Sequence, residues 1–141
     1  MSRISAAITV CLFFALAACA AAEPIKVCVK ARGNTGLEQR VENILGRELS
    51  SAGDVSMVKD REECHLYIDL ALVEQEPIRF YALGVSIAYH IRDKFYSRPT
   101  ADVAQFGEER MEEICVYLAG EIDKGFLEPL RASQRKTGSS S

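Results

Sequence analysis

Cys64-His65-Leu66-Tyr67-Ile68-Asp69-Leu70-Ala71-Leu72-Val73, then Glu74-Gln75-Glu76-Pro77, then Ile78 to Ile91, is the stretch whose reading decides the fold. Its first run alternates apolar and mixed positions with a period of two, which is the signature of a strand with two unlike faces. Cys64, Leu66, Ile68, Leu70 and Leu72 point one way; His65, Tyr67, Asp69, Ala71 and Val73 point the other. The second run repeats the pattern. Tyr81, Leu83, Val85, Ile87, Tyr89 and Ile91 share a core face, while Phe80, Ala82, Gly84, Ser86, Ala88 and His90 share the back. Glu74–Pro77 supplies the turn. Pairing Val73 with Ile78 sets Leu70 against Tyr81, Leu66 against Val85 and Tyr67 against Gly84. Core meets core in that register, and a slip of one residue would send every side chain to the wrong face.

Working toward the amino terminus, Val55–Val58 reads as a short strand. Ahead of it lies a helix. Thr35-Gly36-Leu37-Glu38 is a capping box, in which the Thr35 hydroxyl takes an amide proton three residues on and Glu38 reaches back. Leu37, Val41, Ile44, Leu45 and Leu49 follow as one apolar stripe at helical spacing, and Gly53 closes the element. Ile25–Lys30 alternates and reads as the first strand, with Ile25, Val27 and Val29 on the core side and Lys26, Cys28 and Lys30 on the back.

Toward the carboxyl terminus, Pro99 interrupts the chain. A second helix is expected from about Asp102 to Lys124, its stripe formed by Met111, Ile114, Cys115, Leu118 and Ile122. Glu108, Glu109, Glu112 and Glu113 form a solvated outer face rather than an acid pair. Phe126, Leu127 and Leu130 tuck back onto the core. The last ten positions, Ala132–Ser141, are rich in Ser and basic residues and are expected to be disordered.

The order is β-α-β-β-β-α. It implies an α+β two-layer sandwich: a four-stranded mixed sheet, strands one and two parallel, with two helices on one face. This element order resembles that of small domains of bacterial envelope proteins, such as the amino-terminal domain of the Tol translocation beta-propeller protein. The likeness carries no functional residue across.

The first twenty-two positions speak of compartment. Met1-Ser2-Arg3 is a short basic head, Ile4–Ala18 is an uncharged apolar run, and Ala20-Ala21-Ala22 precedes Glu23. That is the layout of a secretory signal. An apolar run of about fifteen residues is short for a membrane-spanning helix, which needs about twenty. Two exits compete. Ala20-Ala21-Ala22 fits ordinary release, giving a 1–22 leader. Leu16-Ala17-Ala18-Cys19 resembles the lipobox of bacterial lipoproteins, and this resemblance implies a 1–18 leader with Cys19 lipidated and the domain tethered to a membrane; the balance favours this second exit. Residues 23–131 then form one domain, exported to the periplasm or anchored at a membrane face.

Composition narrows the partners. The chain carries 17 basic and 20 acidic side chains. Loss of Arg3 with the leader makes the balance slightly more acidic, so nucleic acid is disfavoured. Export also bears on the cysteines. Cys64 and Cys115 both lie on core-facing stripes and are expected to bridge in an oxidising compartment, with Cys28 left free; two buried thiols are the alternative.

The back of the sheet gathers Cys28, His65, Asp69 and His90, which are zinc-ligand types. In the expected register His65 faces Ser86, and His90 lies four residues further, roughly 13 Å away at strand rise, so no metal and no cofactor is expected. Gly33-Asn34-Thr35-Gly36 could hold an anion at a helix start, but a turn with a cap explains it more simply. What stands out is the back face itself. Tyr67, Ala71, Val73, Phe80, Ala82 and Ala88 make it flat and apolar with no helix to cover it, and such patches mark contact surfaces. The expected function is a non-catalytic binding or assembly module of the bacterial envelope, meeting another envelope protein or itself. The alternative is a small hydrolase or a metal- or anion-binding protein, with its site on that face or in the 33–36 loop; a small-ligand carrier would need a cavity the two-layer plan lacks.

Overall fold

The structure, a computed structural model, describes residues 22–91 and 94–139. The expected leader, with Cys19, lies outside the described residues apart from Ala22. The fold is α+β. Its sheet is mixed and has five strands rather than four, ordered β2-β1-β3-β4-β5. The elements run β1 (Ile25–Gly33), α1 (Glu38–Ser50), β2 (Val55–Met57), β3 (Leu66–Gln75), β4 (Phe80–Ile91) and β5 (Lys94–Gly107). A 3-10 turn at Glu108–Arg110 leads into α2 (Met111–Ile122), a π turn at Asp123–Leu127 and α3 (Glu128–Gly138). β1 pairs in parallel with both β2 and β3, and β3, β4 and β5 pair antiparallel.

The added strand is β5, which takes up the segment where the long second helix was expected to begin. It is an edge strand, and Pro99, paired with Ser86 in the ladder, is tolerated there because one side of an edge strand needs no amide donor. The ladder shifts between Leu83 and Val85, where β5 has extra residues. Helix α2 therefore starts only at Met111. A second correction concerns the tail. Instead of fraying from Ala132, the chain stays helical through Gly138. A proline sits in the first turn of α3, where a missing amide costs nothing. Arg131 anchors the helix to Asp54 and Asp123.

One hydrophobic core unites one sheet face with the helices. From the sheet come Ile25 and Val27, Leu66 to Leu72 at alternate positions, Tyr81 to Ile87 at alternate positions, and Phe106. Val41, Ile44, Leu45 and Leu49 of α1 face them, as do Met111, Cys115, Ala119 and Ile122 of α2. Leu127 is fully buried, and Phe126 and Leu130 pack at the rim as expected. Each fully buried aliphatic side chain is worth about 1.5–3 kcal/mol, so this face holds the two layers together.

The hairpin keeps the expected faces but not the expected partners. Leu66 pairs with Tyr89, Leu70 with Val85, Tyr67 with Ala88 and Ala71 with Gly84. β3 runs on to Gln75 and β4 begins at Phe80, with Glu76 to Arg79 between them.

Candidate functional site

The helix-free side of the sheet divides into a covered end and a bare end. The division follows from topology. β2 and β3 flank β1 on opposite sides, so the 58–65 connection must cross β1. α1 already fills the core side, and the connection takes the other. The Cys28 thiol donates to the Lys59 carbonyl at 3.5 Å, and the Arg61 guanidinium stacks 4.8 Å above the Tyr67 ring. Cys28, Tyr67 and Ala88 form one row across the strands. Cys28 and Ala88 are buried and Tyr67 is half-buried. Ala88 and most of Tyr67 are therefore removed from the expected contact surface.

Toward the hairpin turn the sheet is open. Val73 is 56% exposed and Phe80 44%. Ala71 is exposed, Ala82 is half-buried, and Ile78 in the turn adds further apolar surface. Ala71 and Gly84 face each other across β3 and β4, and a Cβ placed on Gly84 would stand 3.8 Å from that of Ala71. Val73 pairs with Ala82 and Phe80 with Gln75, so the bulky exposed side chains lie toward the turn and this row of small residues lies behind them. Arg32 and Asp69 border that row with a two-pronged ion pair, one arm running from Nε to Oδ1 at 2.9 Å and the other from Nη2 to Oδ2. This pairing raises the Arg32 pKa further, through the hydrogen bond first and the charge second.

The histidines are closer than their sequence positions suggest. The true register puts His90 beside His65, and the His90 amide donates to the His65 carbonyl at 3.1 Å. Both rings are committed to backbone. His65 Nδ1 accepts from the Lys26 amide at 3.0 Å, and His90 Nδ1 donates to the Cys64 carbonyl at 2.8 Å. The two histidines are thus neighbours across the ladder rather than four residues apart along it. Among the described residues, no group of three His, Cys, Asp or Glu side chains is placed to hold a metal ion.

The 33–36 loop holds a carboxylate of its own. Glu38 Oε1 accepts from the Thr35 amide and the Thr35 hydroxyl, both at 2.8 Å, and the Leu37 amide donates to Thr35 Oγ1 at 3.1 Å. The reach-back half of the capping box forms as expected, while the hydroxyl serves the amide two residues on instead of three. Backbone donation holds the Glu38 carboxyl below its ordinary pKa. The anion reading of this loop gives way to an internal one.

All three described cysteines are buried free thiols, so the expected Cys64–Cys115 bridge is absent. The physical reason is placement. Cys115 belongs to the core between α1 and α2, whereas Cys64 lies outside that cluster, at the end of the crossing segment. Desolvation raises all three thiol pKa values, that of Cys115 to about 11.

A concave feature escaped the sequence reading. A groove of about 290 Å³ opens between the end of α1 and α2, lined by Glu48, Leu49, Ala52, Val116, Gly120 and Asp123 among others. Val116 and Tyr117 stand exposed on α2.

No family model and no curated protein matches the chain. Among the solved structures that the chain is similar to are two with TM-scores below 0.5. One, described only as an uncharacterized protein, is 8% identical over 77% of this chain and 92% of its own, with a TM-score of 0.47. The other, a PelC dodecamer from Paraburkholderia phytofirmans, is 10% identical over 72% of this chain and 83% of its own, with a TM-score of 0.41.

Proposed function

We propose that the chain is a non-catalytic assembly module of the bacterial envelope, and that the bare end of its sheet packs against the same surface of a second copy. The observation that carries this is a bare apolar face on which bulky exposed residues and small residues occupy different rows. Phe80 and Val73 project at the hairpin end, and the small Ala71–Gly84 row follows further along the same strands. A two-fold axis through such a patch sets the bulky rows of each copy over the small rows of its partner, which is the isologous geometry of most homodimers. A full charge excess of only −3 opposes this little. The reactive side chains on this side already have protein partners: Arg32 pairs with Asp69, and both imidazoles bond to backbone.

The patch is small against the roughly 800 Å² per partner of a standard interface, so the association is weak and concentration-dependent. Sedimentation over a concentration series tests it. The wild type shifts toward dimer as concentration rises, and Phe80→Asp stays monomeric with stability unchanged to within about 0.5 kcal/mol. A wild type that is monomeric throughout, or a Phe80→Asp variant that dimerises equally, overturns the reading.

The envelope location rests on the leader-like first residues, which also favour a membrane tether through Cys19. The mass of the mature amino terminus tests it: a lipidated Cys19 or a start at Glu23 supports export, and a product retaining Met1 overturns it.

A further inference from the structure

The crossing segment brings two buried thiols under one short stretch of backbone. Cys28 projects from the back of β1 and donates to the Lys59 carbonyl at 3.5 Å; Cys64 ends the segment and donates to the Arg61 carbonyl at 3.0 Å. The two acceptors are neighbours but one in the chain. Cys28 is 4% exposed and Cys64 1%, and neither joins the main hydrophobic core. Their surroundings are shared as well. Each thiol is influenced by Asp60 and Arg61, and Cys28 is the charge that most raises the Cys64 pKa after desolvation itself. Cys115 is held elsewhere, with Arg40, Arg47, Glu48 and Glu112 as its charged neighbours.

We propose that Cys28 and Cys64 are a redox pair that closes into a disulfide and pins the crossing segment to β1. In the structure both are free thiols. Closure joins Sγ to Sγ as the two thiols give up two protons and two electrons to a disulfide oxidant, which is reduced to two thiols. It proceeds by thiolate attack, a mixed disulfide and displacement by the second sulfur. Burial and raised pKa make both thiols slow in the closed fold, so the reaction runs through opening of the 58–64 segment. The export predicted from the leader would place the pair in a compartment that supplies such an oxidant. The inference concerns the covered end of the sheet and is independent of self-association at the bare end.

The full chain is incubated with glutathione disulfide, and remaining thiols are blocked in denaturant and digested with trypsin without reduction. The expected product joins Val27–Lys30 to Glu62–Arg79 through Cys28 and Cys64, with Cys115 blocked as a free thiol. The same cross-link forms in Cys115→Ala and is lost in Cys28→Ser and Cys64→Ser. Recovery of Cys28 and Cys64 as free thiols at every oxidant ratio overturns the proposal, as does a bridge from either one to Cys115. Should the serine variants fail to fold, the wild-type and Cys115→Ala maps decide alone.

Discussion

Arg131 and Asp54 clamp the end of the chain to the turn before β2, with Arg131 Nη2 donating to Asp54 Oδ1 at 3.0 Å and Nε donating to Oδ2. Nη1 of the same guanidinium lies 2.8 Å from Asp123 Oδ1. The Arg131 side chain is only 18% exposed while that of Asp54 is 44%. A partly open pair of this geometry is worth about 1 kcal/mol. Arg131→Ala is therefore expected to lower unfolding stability by about that amount, and to release α3 to proteolysis while the sheet stays folded. A double-mutant cycle with Asp54→Asn isolates the pair.

The same clamp sets an acid limit. The hydrogen bond from Arg131 holds the Asp54 carboxyl below its ordinary pKa, and Glu38 is depressed by its backbone donors. A carboxyl with a lowered folded pKa contributes stability that is full above its unfolded pKa, about 4, and is lost as pH falls through the folded value. Denaturation midpoints should be flat from neutral pH to about 5 and decline below 4. Asp54→Asn should decline less steeply than the wild type.

Phe106 tests the fifth strand. Its ring packs 6.2 Å from that of Tyr81 and is 1% exposed. Phe106→Ala should cost about 3–5 kcal/mol in urea denaturation, the usual range for a buried aromatic. A cost below 1 kcal/mol would show that this residue is not in the core. The segment was hard to read for a physical reason. Lys94–Gly107 mixes charged, small and apolar residues and contains Pro99, and an edge strand needs neither strict alternation nor every amide. Its membership depends on a partner, β4, far more than on its own pattern.

Other features were legible because they are local. The α1 stripe Val41, Ile44, Leu45, Leu49 and the α2 stripe built on Met111, Cys115 and Ile122 are buried as their spacing implies. The faces of β3 and β4 were legible too, yet their pairing was not. The expected and observed registers differ by an even number of residues, which leaves every side chain on its own face; hydrophobic pattern cannot choose between them. That blind spot hid the proximity of His65 to His90. The cover over Cys28 and Tyr67 was equally out of reach, because it follows from β2 and β3 flanking β1, a fact of topology absent from local spacing.

Cys115 should be chemically silent in the folded protein. Its pKa of about 11 lies about two units above the ordinary thiol value, which lowers the thiolate population roughly a hundredfold at pH 8. Pulsed alkylation with iodoacetamide, read by mass, should label Cys115 only at the rate of global unfolding. Labelling as fast as a small-molecule thiol would remove it from the core. Cys115→Ser should cost about 1–3 kcal/mol, because a hydroxyl buried there must forgo water.

Gly33 should be intolerant where Gly84 is not. A Cβ on Gly33 would stand 2.3 Å from the Leu72 carbonyl oxygen and 2.6 Å from Glu38 Oε1. The first obstacle is backbone in the β1–β3 ladder, where Gly33 pairs with Leu72, so relief requires the strands to part. At Gly84 the nearest atom is the Ala71 Cβ at 3.8 Å, an ordinary contact. Gly33→Ala is expected to destabilise by about 2 kcal/mol or more and to loosen the Glu38 carboxylate from its loop. Gly84→Ala should fall within about 0.5 kcal/mol of wild type, since an alanine there loses less chain entropy on folding. Chemical denaturation of the two variants side by side reads the difference, and equal costs would mean that β1 and β3 do not approach each other at Leu72 as closely as the ladder requires.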